Sequence, residues 1–147
     1  MTFILTLIHT ITQVHPPHPM FVHFPIGLTA GALFFILLAL WKRSDLLERV
    51  AFANLSLSTL SVIVAAGFGI RDNLVNFGGT APNYFIKIIL AIILFVVSTV
   101  TVLVRWKNPE LFHAKRGKGI YVASYFACFG IALVLGFLGG VIIYGFR

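Results

Sequence analysis

A chain of 147 residues that is 59% hydrophobic and 10% charged, with a mean hydropathy of +1.01, is not an ordinary soluble domain. Its net charge of +7 does not signal nucleic acid, because the basic residues gather at the ends of apolar runs. The single cysteine, Cys128, excludes an intramolecular disulfide.

A helical span needs about 20 apolar residues, so the length predicts one domain over 1–147. The expected fold class is all-α: an integral membrane four-helix bundle with a short N-terminal interfacial segment. Residues 1–14 are apolar but too short to span. They show neither the basic n-region nor the small-residue cleavage site of a signal peptide, so they are expected to be retained in the membrane interface.

The next stretch, His15-Pro-Pro-His-Pro-Met-Phe-Val-His-Phe-Pro-Ile-Gly-Leu28, gathers three histidines and four prolines ahead of an apolar run. Pro16 and Pro17 favour extended backbone before them. Pro19 suits the first turn of a helix, where a missing N–H costs nothing. Pro25 then has two readings: the helix starts near Phe24, or it starts at Pro19 and carries Pro25 internally.

The first span is expected over about 19–41, ahead of Lys42 and Arg43, and the second over about 50–70, ahead of Arg71-Asp72-Asn73. Residues 73–81 read as a loop with a Gly-Gly turn. The third span covers about 82–106 and the fourth about 119–146, with a basic loop between them. Trp41 and Trp106 mark equivalent ends of spans one and three, as interface aromatics do.

Eight of the eleven basic residues fall in the first and third connections. The positive-inside rule then puts those connections in the cytoplasm, with both termini, the histidines and Asp72 outside. Gly27 with Gly31, Ala65 with Gly69, and Gly136 with Gly140 are spaced for close helix approach. On that reading a bulky residue at Gly140 separates span four from its neighbour, whereas one at Gly145 does not. Asn54, Ser58 and Ser61 share a face of span two and suit interhelical hydrogen bonds. Lys87, inside span three, is expected to snorkel to the headgroups.

Imidazoles make the His–Pro stretch the candidate site, with three readings. In the first, the histidines hydrogen-bond carbonyls, Asp72 or headgroups and fix the start of span one. In the second, His18 and His23 contact a b-type haem. A bis-histidine haem within a bundle takes ligands from two faces, yet spans two to four contain no histidine. In the third, His15, His18, Met20, His23 and Asp72 form a copper or zinc site, Met favouring Cu(I). Enzymatic and transport constellations are absent from the pattern: no carboxylate pair, nucleophile elbow or phosphate loop occurs.

The run His18-Pro-Met-Phe-Val-His-Phe-Pro-Ile-Gly-Leu28 resembles the opening signature of a family of small bacterial membrane proteins, domain of unknown function 2231. Gly136-Phe-Leu-Gly-Gly-Val-Ile-Ile-Tyr144 is similar to that family's Gly-rich last helix. The resemblance covers about 15–147 and implies a four-helix module of the bacterial cytoplasmic membrane, found alone or joined to Rieske iron–sulfur or c-type haem domains. It implies a small subunit or anchor of a membrane electron-transfer system, with the lipid bilayer, other membrane subunits or a redox partner as its company. A structural protein without a cofactor is the alternative. Family members often carry a histidine near the start of the third span; here the corresponding region, Pro82-Asn-Tyr-Phe-Ile-Lys87, has none.

Overall fold

The computed structural model describes residues 2–10 and 17–144, so His15 and Gly145 lie outside the described residues. The described residues form five helices and no strand: α1 (Phe3–His9), α2 (His18–Lys42), α3 (Asp45–Phe77), α4 (Tyr84–Lys107) and α5 (Lys118–Tyr144). Helices α2 to α5 are each long and apolar enough to cross a membrane. They pack in a ring, each against its neighbours in sequence and α5 closing on α2. The α2–α3 seam is the most extensive. Helix α1 is short, with Phe3, Ile4 and Leu5 exposed.

Local chemistry sets the boundaries. Helix α2 begins at His18 with Pro19 in its first turn, and carries Pro25 inside it, so the early start is the one adopted. Two residues join α2 to α3. Arg43 takes a left-handed conformation (φ 52°), and Ser44 turns extended and accepts from the Leu47 N–H at 3.5 Å.

Helix α3 extends beyond the expected second span at both ends, and its last turn takes up residues 73–77 of the expected loop. It starts at Asp45 and runs through Arg71-Asp72-Asn73 to Phe77, where Gly78 (φ 56°) stops it. The polar triplet does not break the helix because its side chains find partners. Asp72 is buried against α2, and the Asn73 Oδ1 accepts from the Ala81 N–H at 2.9 Å.

The interior is built from small and medium residues at helical spacing. Ala32, Ile36 and Ala39 of α2 meet Ala51, Leu55 and Val62 of α3, Leu94 of α4, and Tyr121, Tyr125, Cys128 and Ala132 of α5. Larger apolar side chains such as Ile92, Val96, Val100 and Leu103 point outward. Lipid tails are as apolar as leucine, so close packing and polar pairing hold such a bundle rather than the hydrophobic effect between helices. One polar link crosses the seam at Pro25. Its carbonyl accepts from the Ser58 hydroxyl of α3 at 3.3 Å and from Thr29 within α2 at 2.8 Å. Ser61 and the Asn54 amide instead donate within α3, to the Leu57 and Val50 carbonyls.

Only some of the small-residue pairs make close contacts. A β-carbon on Gly31 would stand 3.2 Å from the Asn54 Oδ1, one on Gly69 3.0 Å from the His18 ring, and one on Gly136 3.0 Å from the Ile26 Cδ1. At Gly27 and Gly140 it would meet nothing within 4 Å among the described residues. The expectation for Gly140 is therefore corrected: the α2–α5 approach lies one turn earlier, at Gly136. Gly136→Leu is expected to lower stability in detergent by about 1–3 kcal/mol through overpacking, and Gly140→Leu by much less. Thermal melts of both variants decide it, and equal losses would contradict the packing.

Candidate functional site

At the His–Pro end, α2 is fastened to α3. The first backbone N–H groups of a helix have no partner within it, and Pro17, which precedes α2, brings no capping side chain. Asp72 supplies the acceptor from the neighbouring helix: its Oδ2 takes the His18 backbone N–H at 2.9 Å. A carboxylate beside a helix N-terminus is also favoured by the helix dipole. Its Oδ1 accepts from Arg71 Nη1 at 2.9 Å, so both oxygens are engaged although the residue is only 4% exposed.

The imidazole of His18 packs against α3 at Ala65 and Gly69. Its Nδ1 is 2.9 Å from the Ala65 carbonyl. A carbonyl only accepts, so Nδ1 carries the proton in this contact. The ring reaches that carbonyl because Gly69 leaves space beneath it. Phe21 and Phe68 stack nearby, with centroids 4.3 Å apart and planes 5° from parallel.

The remaining candidates diverge. His23 stands five residues along α2, about 140° around the helix axis from His18, and is exposed. Met20 is 61% exposed. The structure thus brings His18 and Asp72 together and leaves His23 and Met20 on the outside of the same helix. Among the described residues no group of three or more His, Cys, Asp or Glu is arranged to hold a metal ion. His18 is held against α3, whereas His23 is exposed on α2. Lys87, the fourth residue of α4, is half-buried.

A second cluster, at the basic end, is one that the sequence reading did not find. Glu48 is 1% exposed, inside the first turn of α3. Arg105 of α4 grips it with both arms of its guanidinium, Nε to Oε1 at 2.6 Å and Nη2 to Oε2 at 2.7 Å. The Tyr121 hydroxyl of α5 donates to Oε1 at 2.7 Å. Its oxygen lies 2.7 Å from the Tyr125 hydroxyl, which therefore donates to it. Arg105 also lies over the Phe52 ring, 5.6 Å from its centroid.

Three helices are tied by this network, and both carboxylate oxygens of Glu48 are satisfied. The available signal was Tyr121 and Tyr125 at i, i+4 on the face that continues into Cys128 and Ala132. Two phenols on an interior face require a polar partner. In the sequence Glu48 and Arg105 each stand as a charge near the end of an apolar run.

A family model described as "Predicted membrane protein (DUF2231)" matches residues 14–147. No curated protein and no solved structure matches the chain.

Proposed function

The chain belongs to the DUF2231 family of membrane proteins, and on that premise we propose that it is a small membrane anchor subunit whose His–Pro end meets a partner in an electron-transfer system. The observation that carries this reading is the division between His18 and His23. His18 is used to fasten α2 to α3, whereas His23 and Met20 are exposed on the same helix, within reach of a partner subunit. The anchoring role is supported by the interior, whose polar clusters bond to one another rather than to an open site. The electron-transfer role is supported by the resemblance to modules joined to Rieske and c-type haem domains. The chain itself is given no catalytic step, and the redox group belongs to the partner. The excess of basic residues at the opposite end favours an outer location for the His–Pro end and both termini, in the bacterial cytoplasmic membrane.

The test is a pair of variants purified from native membranes with their bound partners. His23→Gln is expected to keep the melting temperature and lose the reduced-minus-oxidised absorbance signal that co-purifies with the parent protein. His18→Gln is expected to keep the signal and lose stability, by about 1–3 kcal/mol, as a polar contact in the seam is left unmade. A parent complex without any such signal, or a signal unaffected by His23→Gln, would overturn the electron-transfer role. Stoichiometric copper or zinc in the parent protein would assign the exposed end to metal instead.

A further inference from the structure

At the basic end the bundle opens into a cavity of about 210 Å³, lined by Leu40, Arg43, Phe112, His113 and Lys118. Its walls come from the end of α2, the α4–α5 connection and the start of α5. The chemistry is two-sided. Leu40 and the buried Phe112 supply an apolar wall, while Arg43 and Lys118 supply two permanent cations.

Local structure places both cations. Arg43 is set by the left-handed turn between α2 and α3. The Lys118 ammonium rests over the Phe112 ring, 4.5 Å from its centroid. Asp45, two residues after Arg43, is engaged by a cavity-lining residue: its Oδ1 is 2.8 Å from the His113 Nε2. Neither Arg43 nor Lys118 has a carboxylate within ion-pair distance among the described residues, unlike Arg105 beside Glu48.

We propose that this cavity binds the phosphate headgroup of an anionic membrane phospholipid, with Arg43 and Lys118 holding the phosphate and Leu40 and Phe112 lying along the glycerol and upper acyl segment. A soluble phosphate ester would present the same anion to the two cations. The apolar wall favours the lipid, and so does its level along α2: the lining residue Leu40 precedes Trp41, which is 76% exposed at the end of the helix, where an interface aromatic belongs. Basic pockets between spans are a recurring means of holding acidic lipid headgroups.

Protein in a neutral detergent is titrated with mixed micelles containing phosphatidylglycerol, and bound lipid and melting temperature are read together. Parallel arms use phosphatidylcholine and glycerol 3-phosphate. Phosphatidylglycerol is expected to bind saturably and raise the melting temperature; the other two are not. In Arg43→Gln/Lys118→Gln the phosphatidylglycerol affinity is expected to fall roughly thirtyfold, the effect of two basic residues close to an acidic headgroup. Lys118→Gln alone gives a partial loss and guards against damage to the turn at Arg43. The control is Arg49→Gln/Lys107→Gln, which removes two exposed cations from the same end without touching the cavity lining. An equal loss in the control would mean that diffuse charge, not this cavity, attracts the lipid. Equal stabilisation by phosphatidylcholine would remove the preference for an anionic headgroup, and equal stabilisation by glycerol 3-phosphate would remove the lipid. Each of these results overturns the proposal.

Discussion

Glu48→Ala is expected to lower the stability of the bundle by about 3–5 kcal/mol, the range for removing one partner of a buried ion pair. The loss exceeds that of an ordinary hydrogen bond because of what stays behind. Arg105, its side chain only 13% exposed, would keep its charge with no carboxylate to meet it. Tyr121 would lose the acceptor for its proton, and Tyr125 would be left donating to a phenol with nothing beyond it. Such a network fails as a unit, so the single changes are not additive. Glu48→Met/Arg105→Met should recover most of the loss, because an apolar pair of similar volume avoids the burial of charge altogether. Unfolding in a denaturing detergent, followed by the fluorescence of Trp41 and Trp106, measures both variants against Glu110→Ala, an exposed carboxylate in the basic loop. If Glu48→Ala unfolds no earlier than Glu110→Ala, the cluster does not hold the bundle.

Asp72→Ala is expected to cost about 2 kcal/mol, within the range for a hydrogen bond to a charged group, and to act locally. Asp72 accepts the backbone N–H of His18 at the first residue of α2, next to two prolines that have no N–H to offer. Without it the first turn of α2 loses its attachment to α3, and the His18 ring contact to Ala65 weakens with it. Hydrogen exchange should therefore rise first at residues 18–22 and leave the basic end unchanged. Asp72→Asn keeps an acceptor in place but loses the charge, so a smaller loss at the same residues is expected. Faster exchange spread evenly over the four long helices would show that Asp72 has no special hold on α2.

The architecture was legible because the bilayer imposes a length and a composition on each span, and four such runs occur. The boundaries were less so. The second apolar run ends ahead of Arg71-Asp72-Asn73, yet the helix continues through them to Phe77, and Asp72 caps the neighbouring helix, which is a tertiary event. For the candidate site, the His–Pro stretch holds the residue that meets Asp72, while nothing in the spacing of His18 and His23 said that one would be held on α3 and the other left exposed. That depends on α2 starting at His18 and running through Pro25, which was one of two readings. Glu48 and Arg105 were missed for a different reason: they are 57 residues apart. Each alone looks like an ordinary charge at a span end, and only the bundle brings them together beneath two tyrosines.

The length of α3 has a consequence of its own. At 1.5 Å per residue its 33 residues make a rod about 50 Å long, against a hydrocarbon core about 30 Å thick. Residues 50–70 alone match that thickness. The last two turns, from Arg71 to Phe77, then rise as a stalk above the oily layer, and the Asp72–His18 fastening falls at the waterline. Below it the seam is held in lipid, and above it the stalk stands among headgroups. A thicker bilayer would draw Leu74 and Phe77, both exposed on the stalk, down into hydrocarbon and carry a buried carboxylate with them. A thinner one would leave them bare. The polar join between α2 and α3 is thus the place where a mismatch between this helix and the bilayer would be felt first.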